Sequence, residues 1–296
     1  MLISKELTTH EIHLYRRKMA PMICSLVADA SHGARWRRER LSHYEFLAKQ
    51  LQRGALISPI FDAPFVTTKT FRRDWLHLVD LGIAADFLGN LFKVLRDKLP
   101  GRNQEVRVRA LWLRVLAFYN GPPVVTDRLA KLPNSWIQAD GQKPPKLKGN
   151  ASTTRALVPF AYTLAQELLD PADAKEEAMI VGADHLNRCY TCLSSNTYGW
   201  QEILARSSSA FAHQFGALQA ASDGIHWRCK PKLHHFLELC ASGGRPSLSW
   251  TYRDEDYGGS VAQCSRSRGG VLTPKLVSCN TLLRFKSSNP VPRLTS

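Results

Sequence analysis

The feature that most constrains the fold of this chain is the helical spacing of apolar residues between positions 83 and 222. Over 83–99, for instance, apolar side chains recur at intervals of three and four residues, and Pro100-Gly101 ends the pattern. The same spacing predicts further helices over 105–119, 153–169, 174–195 and 200–222. From the helix over 105–119, the residues expected to face the core are Val106, Val108, Leu111, Trp112, Val115, Leu116 and Tyr119. We therefore expect a predominantly α-helical protein.

The segments on either side of this interval add helices and short strands. Ser42 and Glu45 are spaced as a capping box, which predicts a helix over 44–52. β-Branched and aromatic residues over 65–71 and 247–252 predict two short strands. Other expected segments are helices over 9–19, 230–240 and 273–285 and a disordered tail over 286–296. The expected fold class is α+β, mostly helical with a few short strands.

Positive charge is concentrated in the first half of the sequence. The formal net charge is +15; residues 1–148 hold 25 Lys and Arg against 13 Asp and Glu, whereas residues 149–296 hold 15 against 12. Such an excess attracts polyanions and supports phosphate contacts, although a solvated basic surface also accounts for it. The candidate nucleic-acid-binding residues are Arg35, Trp36, Arg37, Arg38, Arg40, Lys143, Lys146, Lys148, Lys230 and Lys232.

Each of these basic groups also has a plainer interpretation. The knot over 35–40 suits base stacking and phosphate binding, but it is equally a charged helix start with one packing tryptophan. The lysines over 138–150 lie in what reads as an ordinary solvated loop. His235, near Lys230 and Lys232, is either a group that orients a ligand or part of a polar helix start. DNA is the expected partner, and RNA is compatible with the same pattern.

The spacing of the cysteines and the hydropathy of the sequence indicate the cellular compartment. The seven cysteines are irregularly spaced, which argues against a secreted disulfide framework. Neither a secretory leader nor an apolar run of roughly 18 residues is visible, so we expect no membrane partner. An intracellular protein is predicted, with the nucleus favoured over the cytoplasm. A homo-oligomer is compatible with the sequence.

Cys189 and Cys192, with His185 nearby, have the half-site spacing for zinc, but packing of buried thiols is the favoured interpretation.

Two groups of carboxylates are candidates for metal-dependent chemistry. Asp74 and His77 lie at the predicted end of the first strand, and Asp254 and Glu255 follow the second. Carboxylates that converge on a pair of Mg²⁺ ions catalyse phosphoryl transfer. A carboxylate at a helix start is also a common cap, and this interpretation stays open. Glycine-rich phosphate loops, nucleophile elbows and dinucleotide fingerprints are missing, which excludes most kinases, hydrolases and dehydrogenases.

Two of these segments resemble parts of known transposases. Asp74-Trp-Leu-His77, followed by an apolar helix, resembles the second catalytic acid of CACTA-like cut-and-paste transposases, and Lys230-Pro-Lys-Leu-His234 is similar to the segment before the final acid in several eukaryotic transposase families. The acid in that place is Glu255. The resemblance implies an RNase H-like core, interrupted by a large helical insertion. It also implies that Asp74, His77 and Glu255 are catalytic and that Mg²⁺ or Mn²⁺ is bound by Asp74, Glu255 and Asp254.

The whole chain also resembles a large, dispersed protein family of dinoflagellate genomes. Asp-Trp-x-His, Asp-Leu-Gly and Trp-Thr-Tyr-Arg-Asp-Glu-Asp recur in that family and stand here at 74–77, 80–82 and 250–256. This resemblance covers nearly the whole chain and implies no activity.

The sequence departs from the transposase pattern at the first catalytic acid. That aspartate lies on the first strand of the core in the family, whereas the aspartates upstream of 74 are Asp29 and Asp62, and neither follows an apolar strand. The implied layout is a basic helical segment over 1–64, a partial RNase H-like core over 65–82 and 230–285, a helical insertion over 83–229 and a tail over 286–296. We therefore expect a transposase-derived, nucleic-acid-associated protein with an incomplete metal-dependent nuclease site. The alternative is a non-catalytic helical module that binds DNA, RNA or a protein, with residues 35–40, 102–114 and 143–148 as its contacts to nucleic acid.

Overall fold

Seven α-helices account for most of the residues that the structure describes. The structure is a computed structural model, and it describes residues 41–68, 70, 73–122, 124–138, 141, 143–194, 198–241, 244–248 and 250–252. The chain divides into two compact units, Met1–Ser249 and Trp250–Ser296, and the described part of the second unit is 250–252. The segments predicted over 9–19, 273–285 and 286–296 lie outside the described residues.

The helices follow one another in the chain, some through short connections and others through long segments such as 121–150. They are α1 (His43–Gln52), α2 (Ala85–Lys98), α3 (Gln104–Asn120), α4 (Ala151–Leu168), α5 (Ala174–Ser194), α6 (Trp200–Ala220) and α7 (Lys232–Ala241). A π-helix, Leu76–Ala84, leads directly into α2. Short 3₁₀ turns occupy Pro59–Asp62, Asn134–Trp136 and Pro246–Leu248. None of the described helices is both long and apolar enough to cross a membrane.

Local sequence signals fix where several helices begin. The Ser42 hydroxyl accepts a hydrogen bond from the Glu45 amide, and the Glu45 carboxylate accepts one from the Ser42 amide, so the predicted capping box is confirmed. Asn103 and Asn150 cap α3 and α4 by accepting hydrogen bonds from amides three residues further on. All the helices predicted among the described residues are present, with ends that shift by a few residues at most places.

The two predicted strands are wrong. The described residues of 65–71 form turns, because the Thr70 hydroxyl accepts a hydrogen bond from the Thr67 amide at 3.0 Å and the Thr67 carbonyl accepts one from the Thr70 amide at 2.9 Å. Threonine side chains that bond nearby backbone groups compete with sheet pairing. Pro246–Leu248 forms a 3₁₀ turn where the second strand was expected. No described residue lies in an extended strand, so this part of the chain does not show the sheet of an RNase H-like core.

The apolar face of α3 is narrower than the sequence predicts. Its buried residues are Val108, Leu111, Val115 and Tyr119. Val106 and Leu116 are exposed instead, and Trp112 is half-buried. The buried positions follow one stripe along the helix, which packs against α2.

A continuous cluster of aromatic rings joins several of the helices. Ring centroids of neighbouring members lie 5.1 to 6.1 Å apart, mostly in the edge-to-face arrangement that aromatic pairs favour. The members are Trp75, Phe87, Tyr190, Phe211, Phe215, Trp227 and Phe236. Because these rings come from five helical elements and the loop after α6, they hold α2 and α7 in fixed positions.

The π-helix contains a fully buried carboxylate, that of Asp80, which accepts a hydrogen bond from the Tyr190 hydroxyl on α5. The sequence predicts a helix only from residue 83, whereas the helical backbone begins at Trp75. π-Helical turns are rare in proteins, and those that occur are often found at functional sites. In this protein the backbone carbonyls of the π-helix also accept hydrogen bonds from the ammonium groups of Lys146 and Lys232.

Candidate functional site

Three of the predicted nucleic-acid-binding lysines lie around the carboxylate of Asp86. The Lys230 ammonium lies 2.8 Å from both Asp86 oxygens, and the Lys146 ammonium lies 3.9 Å from Oδ1 of Asp86. Lys232 lies close enough for its charge to interact with Lys146, Asp86 and Lys230. We call these four residues the lysine cluster. They come from α2, the loop before α4, the loop after α6 and the first residue of α7.

A glycine on α2 determines the position of Lys146. A Cβ atom on Gly89 would lie 2.5 Å from the Cα of Lys146, so a larger residue would collide with the backbone of the basic loop. This close approach allows the Leu147 amide to donate a hydrogen bond to the Ala85 carbonyl at 2.9 Å. The Lys146 ammonium then reaches the Leu81 carbonyl at 2.8 Å. Glycine serves here because it lets two backbones approach closely.

A second glycine determines the path of Lys232. A Cβ atom on Gly82 would lie 2.8 Å from Cδ and 3.2 Å from Nζ of Lys232. The lysine side chain therefore crosses the π-helix at this glycine, and its ammonium donates a hydrogen bond to the His77 carbonyl at 2.7 Å. Buried Leu233 and Phe236 anchor the start of α7 in the core, so the backbone that carries Lys232 is held in place.

The buried side chain of Asn90 joins the two loops that carry the other lysines. Its Nδ2 donates to the Pro145 carbonyl at 3.3 Å, next to Lys146 in the chain. Its Oδ1 accepts a hydrogen bond at 3.1 Å from the amide of Trp227, three residues before Lys230. Because both loops are tied to one amide group on α2, the two ammonium groups converge on the same side of that helix.

The lysine cluster carries unbalanced positive charge at the surface. Three ammonium groups face one carboxylate, a formal net charge of +2, and the side chains of Lys146 and Lys230 are 40% and 38% exposed, against 7% for Asp86. Partial burial and the neighbouring Lys146 and Lys230 ammonium groups lower the pKa of Lys232, and Asp86 opposes this shift. A bound anion would relieve the repulsion. Lysine ammonium groups are common ligands of phosphate.

The other basic residues predicted to bind nucleic acid contribute in different ways. Lys143 and Lys148 lie on the same loop as Lys146 and are exposed. On α3, the Arg114 guanidinium donates two hydrogen bonds to the Glu167 carboxylate at 3.1 and 2.7 Å, so its charge is paired within the protein. The residues of the first basic knot lie outside the described residues; they are Arg35, Trp36, Arg37, Arg38 and Arg40.

Asp74, the first candidate catalytic acid, acts as a helix cap. Its Oδ1 accepts a hydrogen bond from the Leu76 amide at 3.3 Å, and its Oδ2 accepts one from the His77 amide at 3.0 Å. The same Oδ2 lies 2.6 Å from Nδ1 of His77. Both oxygens are therefore engaged in local contacts. The other proposed ligands, Asp254 and Glu255, lie outside the described residues.

A second Asp-x-x-His group has the same local geometry, and sequence reasoning missed it. Asp223 accepts hydrogen bonds from the Ile225 and His226 amides at 3.0 and 2.9 Å, and its Oδ2 lies 2.8 Å from Nδ1 of His226. These hydrogen bonds, from the His226 amide above all, lower the pKa of Asp223. Asp223 and His226 line a cleft of about 300 Å³ together with Lys93 and Lys175. The signal that would have revealed the group is the spacing that it shares with Asp74 and His77.

The cysteines of the predicted zinc half-site are part of the core. Cys189 and Cys192 are buried on α5, and burial raises the pKa of both thiols. Among the described residues, no group of three potential metal ligands within 4.8 Å of one another includes either cysteine. Buried, protonated thiols pack as small apolar side chains, which agrees with the favoured interpretation.

The chemistry that these arrangements support best is the binding of an anion at the lysine cluster. The ammonium groups are fixed by backbone carbonyls and by Asp86, and they keep an excess of two positive charges. The cluster unites residues that are 60 and 144 positions apart in the chain.

Comparisons of the chain with protein-family models, with curated proteins and with solved structures found no match.

Proposed function

We propose that this protein is a non-catalytic helical module that binds nucleic acid by holding backbone phosphates at the lysine cluster. The observation that carries the proposal is the convergence of Lys146, Lys230 and Lys232 around the single carboxylate of Asp86. Phosphate contacts of this kind position a protein on a nucleic acid without reading its sequence. DNA is the proposed partner, and RNA offers the same phosphate chemistry.

The charge of the whole chain supports this partner. A net charge of +15 raises the local concentration of a polyanion and accelerates encounter. Each phosphate that a lysine neutralises also releases a condensed counterion, so affinity falls steeply as salt rises. The lysine cluster then supplies fixed contacts within a broadly attractive field.

The first test compares two double variants with the same charge. Lys146→Gln/Lys232→Gln removes two ammonium groups of the cluster and leaves the ion pair between Lys230 and Asp86 intact. Lys49→Gln/Lys131→Gln removes two exposed lysines elsewhere. Affinity for labelled double-stranded DNA is measured by fluorescence anisotropy over a range of salt concentrations. We expect the slope of log affinity against log salt to fall by about 1 per cluster lysine and to change much less in the control.

A variant that keeps every charge makes this test sharper. Gly82→Ala places a methyl group 2.8 Å from Cδ of Lys232 and forces that flexible side chain away from the His77 carbonyl. Weaker DNA binding in this variant would show that the placement of the ammonium group matters as well as its charge. Equal losses in the cluster and control double variants, or salt-independent binding by the wild-type protein, would contradict the proposal. Duplex RNA of the same sequence shows whether the site discriminates between the two backbones.

Descent from a CACTA-like transposase is a further part of the proposal, and the cap geometry of Asp74 favours binding without cleavage. Both carboxylate oxygens of Asp74 accept hydrogen bonds from the start of the π-helix. A DNA nicking assay with increasing Mg²⁺ or Mn²⁺, run on the wild-type protein and Asp74→Ala, tests this part. We expect no nicking at any metal concentration. Metal-dependent nicking that Asp74→Ala abolishes would establish the catalytic alternative, with His77 and Glu255 as the next residues to replace.

A further inference from the structure

Three potential metal ligands converge on one side of α7. The Oε2 atom of Glu238 lies 3.5 Å from Nε2 of His234 and 3.5 Å from Nδ1 of His235. All three ligand atoms lie within 4.8 Å of one another. We propose that His234, His235 and Glu238 bind a divalent transition-metal ion of the zinc type. The proposed ligands are different residues from Asp74, Asp254 and Glu255, and the proposal does not depend on nucleic-acid binding.

The spacing of the ligand atoms fits a tetrahedral ion. Bonds of about 2.1 Å from zinc to imidazole nitrogen and carboxylate oxygen place neighbouring ligand atoms about 3.4 Å apart at tetrahedral angles. The two distances of 3.5 Å that involve Glu238 are close to this value. The remaining pair comes from the adjacent residues His234 and His235, and its ligand atoms lie within 4.8 Å of each other. A fourth position would be left for water or a ligand.

The surroundings of these ligands also suit a bound cation. The side chains of His234, Glu238 and His235 are 12%, 20% and 39% exposed, so the site is partly sheltered and still accessible. The Arg73 guanidinium pairs with the same Oε2 of Glu238. A positive group therefore already occupies the carboxylate in this structure, and a metal ion would replace it.

The ligand set selects the class of ion. Imidazole nitrogens together with one carboxylate suit zinc and the neighbouring transition metals, whereas Mg²⁺ prefers oxygen ligands and keeps most of its water. Two histidines and one glutamate are also the ligand set of zinc sites that keep an open coordination position. We therefore expect Zn²⁺ and Co²⁺ to bind and Mg²⁺ not to compete.

The experiment titrates Zn²⁺ into the full chain, without nucleic acid, against a chromophoric chelator. His235→Ala and Glu238→Gln should each weaken Zn²⁺ binding by about tenfold or more, because loss of a residue that merely supports a metal ligand already costs about 10–100-fold in affinity. The matched controls, His213→Ala and Glu202→Gln, remove an exposed histidine and an exposed glutamate on α6 and should leave the affinity unchanged. Equal affinity in the ligand variants and the wild-type protein would overturn the proposal.

A gain of affinity provides a test that misfolding cannot imitate. Arg73→Gln removes the competing guanidinium, and we expect Zn²⁺ to bind about tenfold more tightly. Bound Co²⁺ should show visible absorption typical of nitrogen and oxygen ligands, without a sulfur-to-cobalt charge-transfer band. Such a band in the wild-type protein that persists in Glu238→Gln would assign the metal to cysteines and would overturn the proposal. Because DNA is absent from these titrations, their failure would leave the proposed function untouched.

Discussion

The Lys230 ammonium lies 2.8 Å from both oxygens of the Asp86 carboxylate, which is almost fully buried. The substitution Asp86→Asn removes the carboxylate of the lysine cluster. The ammonium groups of Lys146, Lys230 and Lys232 then repel one another without the negative charge of that carboxylate. We expect the free energy of unfolding to fall by roughly 1–3 kcal/mol, less than for a fully buried pair because the lysines are partly exposed. Urea unfolding of the variant measures the loss.

Salt and DNA distinguish this effect from a simple packing defect. High salt screens the repulsion, so the stability gap between Asp86→Asn and the wild-type protein should shrink as NaCl rises. The same variant should bind DNA more tightly, because one negative charge near the phosphates has gone. Asp127→Asn, at an exposed loop position, is the matched control and should be near neutral in stability. A salt-independent gap would assign the loss to packing instead.

Gly89→Ala should be among the most damaging small substitutions on α2. The new Cβ would lie 2.5 and 2.6 Å from the Cα and amide nitrogen of Lys146, and backbone cannot give way without losing the hydrogen bond between Leu147 and Ala85. Overpacking of this kind costs about 1–3 kcal/mol. Thermal and urea unfolding measure it, and DNA affinity should fall because Lys146 is displaced.

The chain offers a control for the effect of glycine itself. Gly216 lies within α6, and a Cβ there would meet nothing within 4 Å. Gly216→Ala should therefore raise the free energy of unfolding by about 0.5–1 kcal/mol through helix propensity alone. If Gly89→Ala were stabilising as well, the close approach of the basic loop to α2 would be incorrect.

The helices of this protein could be predicted from the sequence more completely than the lysine cluster. Helix positions depend on local signals, such as the capping box of Ser42 and Glu45 or the Asn150 cap, and these can be recognised in the sequence. The charge of Lys146 and Lys230 marked them as candidates individually. Their convergence depends on Gly89 and on the buried amide of Asn90, and neither residue type signals a distant contact by itself.

Three features of the fold differ from the sequence-based predictions for specific physical reasons. The threonines of 65–71 favour a strand by propensity, but the hydroxyl of Thr70 bonds the backbone of Thr67 and closes a turn. The π-helix has no local signature, so the helix beginning at Trp75 was predicted to start only at residue 83. On α3, apolar periodicity could not distinguish the buried Leu111 from the exposed Leu116.

Cys229 should react slowly with alkylating reagents at ordinary pH. Burial raises the pKa of its thiol to about 11, and its amide donates to the Gln219 side chain at 2.5 Å. Because the thiolate is the nucleophile, the rate of iodoacetamide labelling in the folded protein should rise about tenfold per pH unit from pH 8 toward 11. Peptide mass spectrometry separates Cys229 from the other cysteines, and urea-unfolded protein should label rapidly at pH 8.

The raised pKa of the Cys229 thiol also makes the free energy of unfolding depend on pH. The folded state keeps the Cys229 proton above the pKa of about 8.5 of an unfolded thiol, so this contribution to stability is fully present below that pH and is lost as pH rises through about 11. Cys229→Ala should show a shallower fall in the free energy of unfolding between pH 8.5 and 10.5. Identical slopes in the two proteins would mean that the thiol is not shielded from water.

Asp74 should behave as a cap, and the nature of the replacement shows it. Asp74→Ala removes the acceptor of the Leu76 and His77 amides and should lower the free energy of unfolding by about 1 kcal/mol. Asp74→Asn keeps an acceptor and should recover most of the loss, since asparagine caps helices as well as aspartate does. Asp223, which bonds its following amides in the same way, should show the same order of Asp, Asn and Ala. A catalytic carboxylate would behave differently, because asparagine could restore stability but not metal-dependent cleavage. If the variants at Asp74 and Asp223 follow the same order of stability and none of them changes the result of the nicking assay, Asp-x-x-His in this chain is a local structural motif.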